Sequence, residues 1–333
     1  MKKAFILFIV LFLLAGQVFA GVVKKTSSTV TFKGFGTFTS VQSEMIMVNV
    51  KRTDSENRFK GKGILGGVAG KTLLRSGDIG EIINLEEMMI YHMNHKNKEY
   101  EVNPITKMTG EIEEEEEVSE EEMKPRDIKI IRSEFKVDET GESKDINQFP
   151  CEKYVITWIT EWEDLNSGEK GIDRLSTTIW ATPYTDEIKS AHEEEMKFSR
   201  EYLKRLGIDM NEFQQEMLGT NWFSVFRGLN QAERAPMEDA SIYGKEMNKI
   251  KGYPVVIDGK YFTSREGEKE EEEEKPKSAK KIFGKFAKKA LKKTPKDVEE
   301  EPAFAYYIEL IELSPANVSE TELKVPADYK KKG

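Results

Sequence analysis

The sequence predicts an α+β fold, a meandering antiparallel sheet covered by two or more helices. Three observations carry that expectation. Short apolar runs recur with brief polar links between them, the pattern of closely spaced antiparallel strands. Two segments of helical periodicity fall between the strand groups, near 186–206 and 209–226. Cys151 is the only cysteine, so no intramolecular disulfide is possible and the fold relies on its core or on a partner.

Taken in order, the chain opens with Met1-Lys2-Lys3, an unbroken apolar run from Ala4 to Ala15, and Val18-Phe19-Ala20 before Gly21. This is the pattern of a secretory signal peptide over residues 1–20, with cleavage near Ala20 and a run too short to span a bilayer. No cysteine follows the cleavage point, so no lipid anchor is expected there. The expected product is an exported, periplasmic or secreted soluble protein, a single domain over residues 21–333. Removing Lys2 and Lys3 leaves 49 basic against 60 acidic residues, a net charge near −11. That balance opposes general nucleic-acid binding, which needs a basic face.

Thr29 to Phe38 carries β-branched and aromatic residues and reads as strand. In Glu44 to Val50, Ile46, Val48 and Val50 alternate with Met45, Met47 and Asn49. The stretch Gly66 to Thr72, GGVAGKT, is superficially a phosphate loop. Its first glycine stands one residue too close to Gly70-Lys71-Thr72, and a charged, glycine-broken segment precedes it where a buried strand belongs. An exported protein also meets little ATP. The stretch reads as a glycine-rich connection. Ile82 to Leu85, Met89 to Met93 and Tyr100 to Val102 follow as short strands, linked by Glu86-Glu87 and by Asn94 to Lys98. The acidic run within 111–123 reads as a solvated loop; it lacks the Asp/Asn/Gly turn pattern of a calcium loop.

The clearest hairpin joins Tyr154–Trp162 to Arg174–Thr182 across Asn166-Ser167-Gly168. Tyr154, Ile156, Trp158 and Trp162 share one side of their strand, as ordinary core or as the wall of an apolar cavity. Thr185 then caps a helix with an acidic first turn, apolar at Ile188, Ala191, Phe198, Tyr202 and Leu206, ended by Gly207. A second helix is expected from Asp209 through Phe226. Pro254 to Ile257 and Lys260 to Phe262 flank Asp258-Gly259, which reads as a hairpin turn, and Ala303 to Leu313 as a late strand.

The insertion at 266–302 is acidic at both ends and basic between 275 and 296. Ile282, Phe283, Phe286 and Leu291 fall on one helical face, and Lys285, Lys288 and Lys289 lie among the opposing lysines. It is either a helix for an anionic membrane surface or a solvated segment neutralised by its own acidic flanks.

No catalytic signature emerges. His92 and His95 fall in a strand and its following turn, and His192-Glu193 lacks the second histidine of a zinc-protease helix, Met196 standing in its place. Surface histidines and a buried Cys151 thiol are expected, with no cofactor and no metal.

Several segments together resemble an exported bacterial family known as domain of unknown function 4412. They are Arg75…Ile82-Ile83-Asn84-Leu85…Tyr91…Lys98-Glu99-Tyr100, Pro150-Cys151-Glu152-Lys153-Tyr154-Val155 leading to Ile179-Trp180-Ala181, Lys251-Gly252-Tyr253-Pro254-Val255, and Val325-Pro326-Ala327-Asp328-Tyr329-Lys330. Gln148-Phe149 stands where the family has Gly-Tyr, and Asp328 where it has Gly. The resemblance extends to periplasmic lipoprotein carriers. It implies a curved antiparallel sheet forming an unclosed barrel, helices against its concave side and an apolar cavity between. It implies no activity and no catalytic residues.

The functional expectation is a non-enzymatic binding protein for a lipid or other apolar ligand. The expected cavity is lined by Tyr154, Ile156, Trp158, Trp180, Phe198, Tyr202 and Phe213. The alternative is an envelope-associated interaction protein that touches anionic membrane through 275–296.

Overall fold

The computed structural model describes residues 21–62, 77–107, 127–208, 240–265 and 301–332. The signal peptide, the GGVAGKT loop, the acidic run, the expected second helix with Phe213, and residues 266–300 lie outside them. So do the membrane-contact candidates Ile282, Phe283, Lys285, Phe286, Lys288, Lys289 and Leu291.

The N-terminal strands are β1 (Gly21–Phe32), β2 (Gly36–Met47), β3 (Val50–Gly61), β4 (Gly77–Asn84), β5 (Met89–Asn94) and β6 (Glu99–Pro104). The next three are β7 (Ile128–Ile146), β8 (Phe149–Asp164) and β9 (Lys170–Thr182). Helices α1 (Asp186–Arg205) and α2 (Ala240–Met247) follow, then β10 (Tyr253–Arg265), β11 (Phe304–Ala316) and the short β12 (Lys330–Lys331).

All twelve strands form one open sheet, ordered β12-β6-β5-β4-β3-β2-β1-β11-β10-β9-β8-β7. Strands β1–β6 meander through one half and β7–β11 through the other. The halves meet where β1 pairs antiparallel with β11, so the central seam joins the start of the described chain to its last long strand. Every pair is antiparallel except β12 on β6. The outer strands β7 and β12 do not pair with each other, and the sheet is unclosed.

Side chains alternate across a strand, and register carries that alternation over the whole sheet. One face holds Phe135, Trp158, Leu175, Tyr261, Phe304 and Phe32, paired strand to strand. Because α1 packs on β11, β1 and β2 from that side, we term it the helix face. The other face carries Thr29, Thr39, Arg58, Lys136, Thr157 and Ser176, a polar-out pattern, but over β4 and β5 it buries Ile82 and Met93.

Helix α2 lies against the edge strand β7. Glu246 Oε2 accepts the Val137 backbone N–H at 2.8 Å, and Lys249 Nζ donates to the Val137 carbonyl at 3.4 Å. An open strand invites pairing with other chains; here two side chains occupy part of that edge.

Two expected turns move. Asp258-Gly259 is no hairpin: β10 runs unbroken through it. Gly259 is required by packing instead, because a Cβ there would stand 2.1 Å from the Tyr306 ring. Tyr306 lies across that gap, and its hydroxyl meets Thr177 Oγ1 at 3.0 Å. The alternation read from Glu44 to Val50 breaks at Val48-Asn49, a two-residue turn between β2 and β3 that leaves Val48 exposed.

Candidate functional site

Helix α1 organises the helix face. Thr185 Oγ1 accepts the Ile188 N–H at 3.3 Å, Asp186 and Glu187 fill the first turn, and Lys204 and Arg205 the last, as the helix dipole favours. Gly207 closes it with φ 76°, the left-handed conformation glycine adopts freely. Its buried stripe is Ile188, Ala191, Glu195, Met196 and Phe198. The middle of the helix lies beside Tyr253 of β10, where Glu195 bonds the tyrosine. It ends at the β4–β5 link, where Arg205 Nη1 lies 3.6 Å from Met88 Sδ. It therefore crosses one end of both halves of the sheet.

One member of that stripe is charged. Lys24 Nζ on β1 bonds Glu195 Oε1 at 2.7 Å, and Tyr253 donates its hydroxyl to Glu195 Oε2 at 2.9 Å. Glu44 lies opposite Lys24 on β2 and pairs with Lys51 at 2.5 Å. His192 Nδ1 stands 3.9 Å from Glu195, and its ring packs edge-on against Tyr253. Burial alone would push the Glu195 carboxyl up. The Lys24 ammonium, the nearby His192 and the bonds from Lys24 and Tyr253 outweigh it and hold the carboxyl down to about 2. Burial opposes the Lys24 charge too, yet Tyr253, Glu195 and Glu44 raise its pKa well above the ordinary value. Burial keeps the Tyr253 hydroxyl protonated. These charge states are locked far from neutrality, whereas a general acid or base works best with a pKa near the working pH. The cluster fastens α1 across the central seam.

The rest of the helix face divides into two zones. Over β7–β11 it is apolar: Val137, Tyr154, Ile156, Trp158, Leu175 and Ile179 are buried together. Val30, Phe32, Phe135, Tyr261 and Ile308 are half-buried around them. Over β2–β6 it is polar. Register aligns Thr53, Glu81, His92 and Glu101 in one row, and with Gln42 and Glu99 they line a recess of about 580 Å³. His92 Nδ1 sits 3.2 Å from Glu81 Oε2, and Lys332 Nζ 3.1 Å from Glu101 Oε1. Helix α1 ends near this recess: burial and then the Glu81 charge raise the Tyr202 hydroxyl.

The residues expected to line one cavity divide between two apolar clusters: Tyr154, Ile156 and Trp158 in one, and Phe198, Tyr202 and Trp180 in or against the other. Tyr154, Ile156 and Trp158 share the helix face and are already core, with Met247 and Ile250 packed against their cluster. Phe198 stacks on Tyr202 in the cluster around α1, ring centroids 6.3 Å apart. Trp180 pairs with Lys153 and lies on the opposite face from Tyr154, because an odd number of residues separates it from that row. Lys144 Nζ sits 4.1 Å above its ring. Grouping Trp180 with Tyr154 counted both strands' aromatics without their mutual register.

The histidines divide as well. His92 is a half-buried member of the recess rather than a plain surface residue. His95 Nδ1 meets the Tyr329 hydroxyl at 2.7 Å, and its Nε2 lies 2.9 Å from Asp54 Oδ1. It thereby helps hold the C-terminal segment against β3, with Arg52 Nη1 donating to the Glu322 carbonyl at 2.8 Å. The Cys151 thiol is buried, and burial pushes its pKa up to about 11, an inert rather than a nucleophilic state. Sequence reasoning passed over Lys24, Glu195 and Tyr253, whose partners lie 171 and 58 residues apart. The row Glu81–His92 had a usable signal: two short strands with a four-residue link fix their own register.

Among the described residues, no group of three or more His, Cys, Asp or Glu is arranged to hold a metal ion. No described helix is long and apolar enough to cross a membrane. Compared with protein-family models, with curated proteins and with solved structures, the chain matches none of them.

Proposed function

We propose that this chain is an exported, non-enzymatic binding protein that holds an amphipathic ligand, a lipid or lipidated molecule, on the helix face of its sheet. The observation that carries the reading is the division of that face into an apolar zone over β7–β11, whose half-buried margin of Val30, Phe32, Phe135, Tyr261 and Ile308 is the part a ligand could meet, and a polar recess over β2–β6. Gln42 of the recess pairs with Thr26 of β1, which pairs with Leu310 of β11. Leu310 belongs to the cluster around α1; the nearest member of the apolar zone on β11, Ile308, lies two residues further along, so about 12 Å separates Gln42 from that zone. A molecule with an apolar chain and a polar head matches that layout; a wholly apolar one leaves the recess unused. The N-terminal pattern supports export, and the open sheet with helices on one face suits the lipoprotein-carrier-like fold that the resemblance implies.

Native mass spectrometry of protein purified gently from the envelope tests this. A stoichiometric extra mass that organic extraction removes is the expected result. A clean apo mass, unchanged after incubation with total lipid extract, contradicts it. A second reading rests on the sequence of 275–296, with apolar residues on one helical face and lysines opposite: reversible contact with anionic membrane. Deleting those residues then abolishes binding to anionic vesicles, and unchanged binding removes this reading.

A further inference from the structure

We infer that the outer edge of β7 is a pairing surface for a second copy of this chain, held shut by α2. The inference stands apart from the ligand reading. Strand β7 ends the sheet, and no described strand lies on its outer side. Sheet edges are commonly blunted by bulges, by proline or by a cover. At the opposite edge β6 closes at Pro104, which has no N–H to offer, and β12 pairs with Glu99 and Tyr100. On β7 the register slips between Ile130 and Arg132 and again between Glu139 and Ser143, irregularities that interrupt pairing. Between them Arg132 to Glu139 runs regularly against Glu161 to Tyr154. That regular run is where α2 sits. Glu246 Oε2 takes the Val137 N–H, Lys249 Nζ donates to the Val137 carbonyl, and the two side chains bond each other at 2.7 Å. Together they stand in for one residue of a neighbouring strand.

The charges on this run fit a second copy laid antiparallel. Arg132, Glu134, Lys136 and Asp138 alternate in sign and share one face, since strand side chains repeat every two residues. About a two-fold axis at Phe135, Arg132 of one copy stands opposite Asp138 of the other, and Glu134 opposite Lys136, each pair occurring twice. Opposite charges across an antiparallel pair stabilise it, and like charges destabilise it. Moving the axis one residue, to Glu134 or Lys136, sets Arg132 against Lys136 or Glu134 against Asp138, so charge selects the register. In the single chain Arg132 pairs with Glu134 at 2.6 Å and with Glu161 at 3.3 Å, and Lys136 with Asp138 at 2.6 Å. Such exposed pairs contribute little and exchange readily for partners on another copy. The same register brings Ser133 opposite Val137, whose N–H and carbonyl α2 already holds. Pairing of two copies therefore requires α2 to release Val137, and the two arrangements exclude each other.

Sedimentation velocity on the mature full chain tests this. The wild type is expected to stay monomeric, and Glu246→Ala with Lys249→Ala to self-associate roughly tenfold or more tightly, the worth of one or two hydrogen bonds freed on the edge. Lys136→Glu added to that variant sets like charges opposite each other twice and should weaken the dimer about tenfold. Adding Glu134→Lys as well restores opposite signs and should recover it. Near-UV circular dichroism identifies the folded variants. Lys249→Met, which leaves Glu246 in place, serves if the double variant does not fold, with a smaller gain of about threefold. A folded variant as monomeric as the wild type overturns the inference. So does a dimer indifferent to Lys136→Glu, or one that Glu134→Lys does not recover, because it uses another surface. A wild-type chain already dimeric through this edge overturns the role given to α2.

Discussion

The two halves of the sheet bury the same face by different means. Over β7–β11 the helix face is filled by large apolar side chains: Tyr154, Ile156 and Ile179 are each 1 % exposed or less. Over β1–β3 the middle rows hold Thr26, Ser28, Ser40, Gln42 and Asn57, and beneath α1 the Lys24–Glu195 ion pair is set into an apolar cluster that includes Val22, Ile46, Ile83, Ala191 and Phe198. Apolar packing is non-directional and tolerates small shifts. A buried ion pair tolerates neither displacement nor loss of one partner. The difference teaches that the C-terminal half is core along its length, whereas the N-terminal half is core only under α1, where a buried ion pair fixes the helix, and polar beyond it.

The largest effect is expected where the ion pair is broken on one side. Lys24→Met leaves Glu195 buried without its cation and should cost about 3–5 kcal/mol in urea unfolding. Replacing the whole unit, Lys24→Met with Glu195→Leu and Tyr253→Phe, should recover most of that loss. A single variant no worse than the triple would show that the pair is not the tie proposed. Ile156→Ala in the apolar half should cost about 2–5 kcal/mol, with no such rescue by a neighbour.

A smaller effect concerns Gly259. Gly259→Ala drives a Cβ into the Tyr306 ring and should cost about 1–3 kcal/mol. Adding Tyr306→Leu should shrink the penalty of the alanine, and a double-mutant cycle reads that coupling. Additive penalties would mean that the ring does not fill the glycine's gap.

The pH dependence sharpens the same contrast. With a folded pKa of about 2, Glu195 is depressed below the ordinary carboxylate value. Its contribution is therefore fully present above about pH 4.3 and is lost as pH falls toward the folded value. Unfolding free energy measured from pH 5 to 2 should fall less steeply in the triple variant, by about one proton. Identical slopes would place the titration elsewhere. The smallest expected effect is at the C-terminal segment: Tyr329→Phe removes its bond to His95, about 1 kcal/mol, read as faster amide exchange at Lys330.

Much of this architecture was legible wherever a local signal existed. The Tyr154–Thr182 hairpin and its Asn166-Ser167-Gly168 turn, the Thr185 cap and the Gly207 stop all stand where their residues indicated. The strands β3 and β7 were missed because VKRTDSENRFKG and most of the β7 sequence are charged. Their pairing comes from neighbours on the sheet rather than from their own alternation. The Asp258-Gly259 misreading has the opposite cause: a strong local turn signal was overridden by a ring from another strand. The candidate site was legible only in pieces. Aromatic rows were visible, but which face each joined depended on register, and the Lys24–Glu195 tie joins residues that no local pattern connects.

The central claim is that one face receives a ligand's apolar chain while the other stays clear of it. Trp158 and Trp180 report on opposite faces of adjacent strands. Variants retaining only one of these tryptophans, titrated with decylamine carrying bromine on its chain, separate the two. Saturable one-to-one quenching of Trp158 with Trp180 unaffected is the predicted result. Equal quenching of both, or quenching of Trp180 alone, contradicts the account.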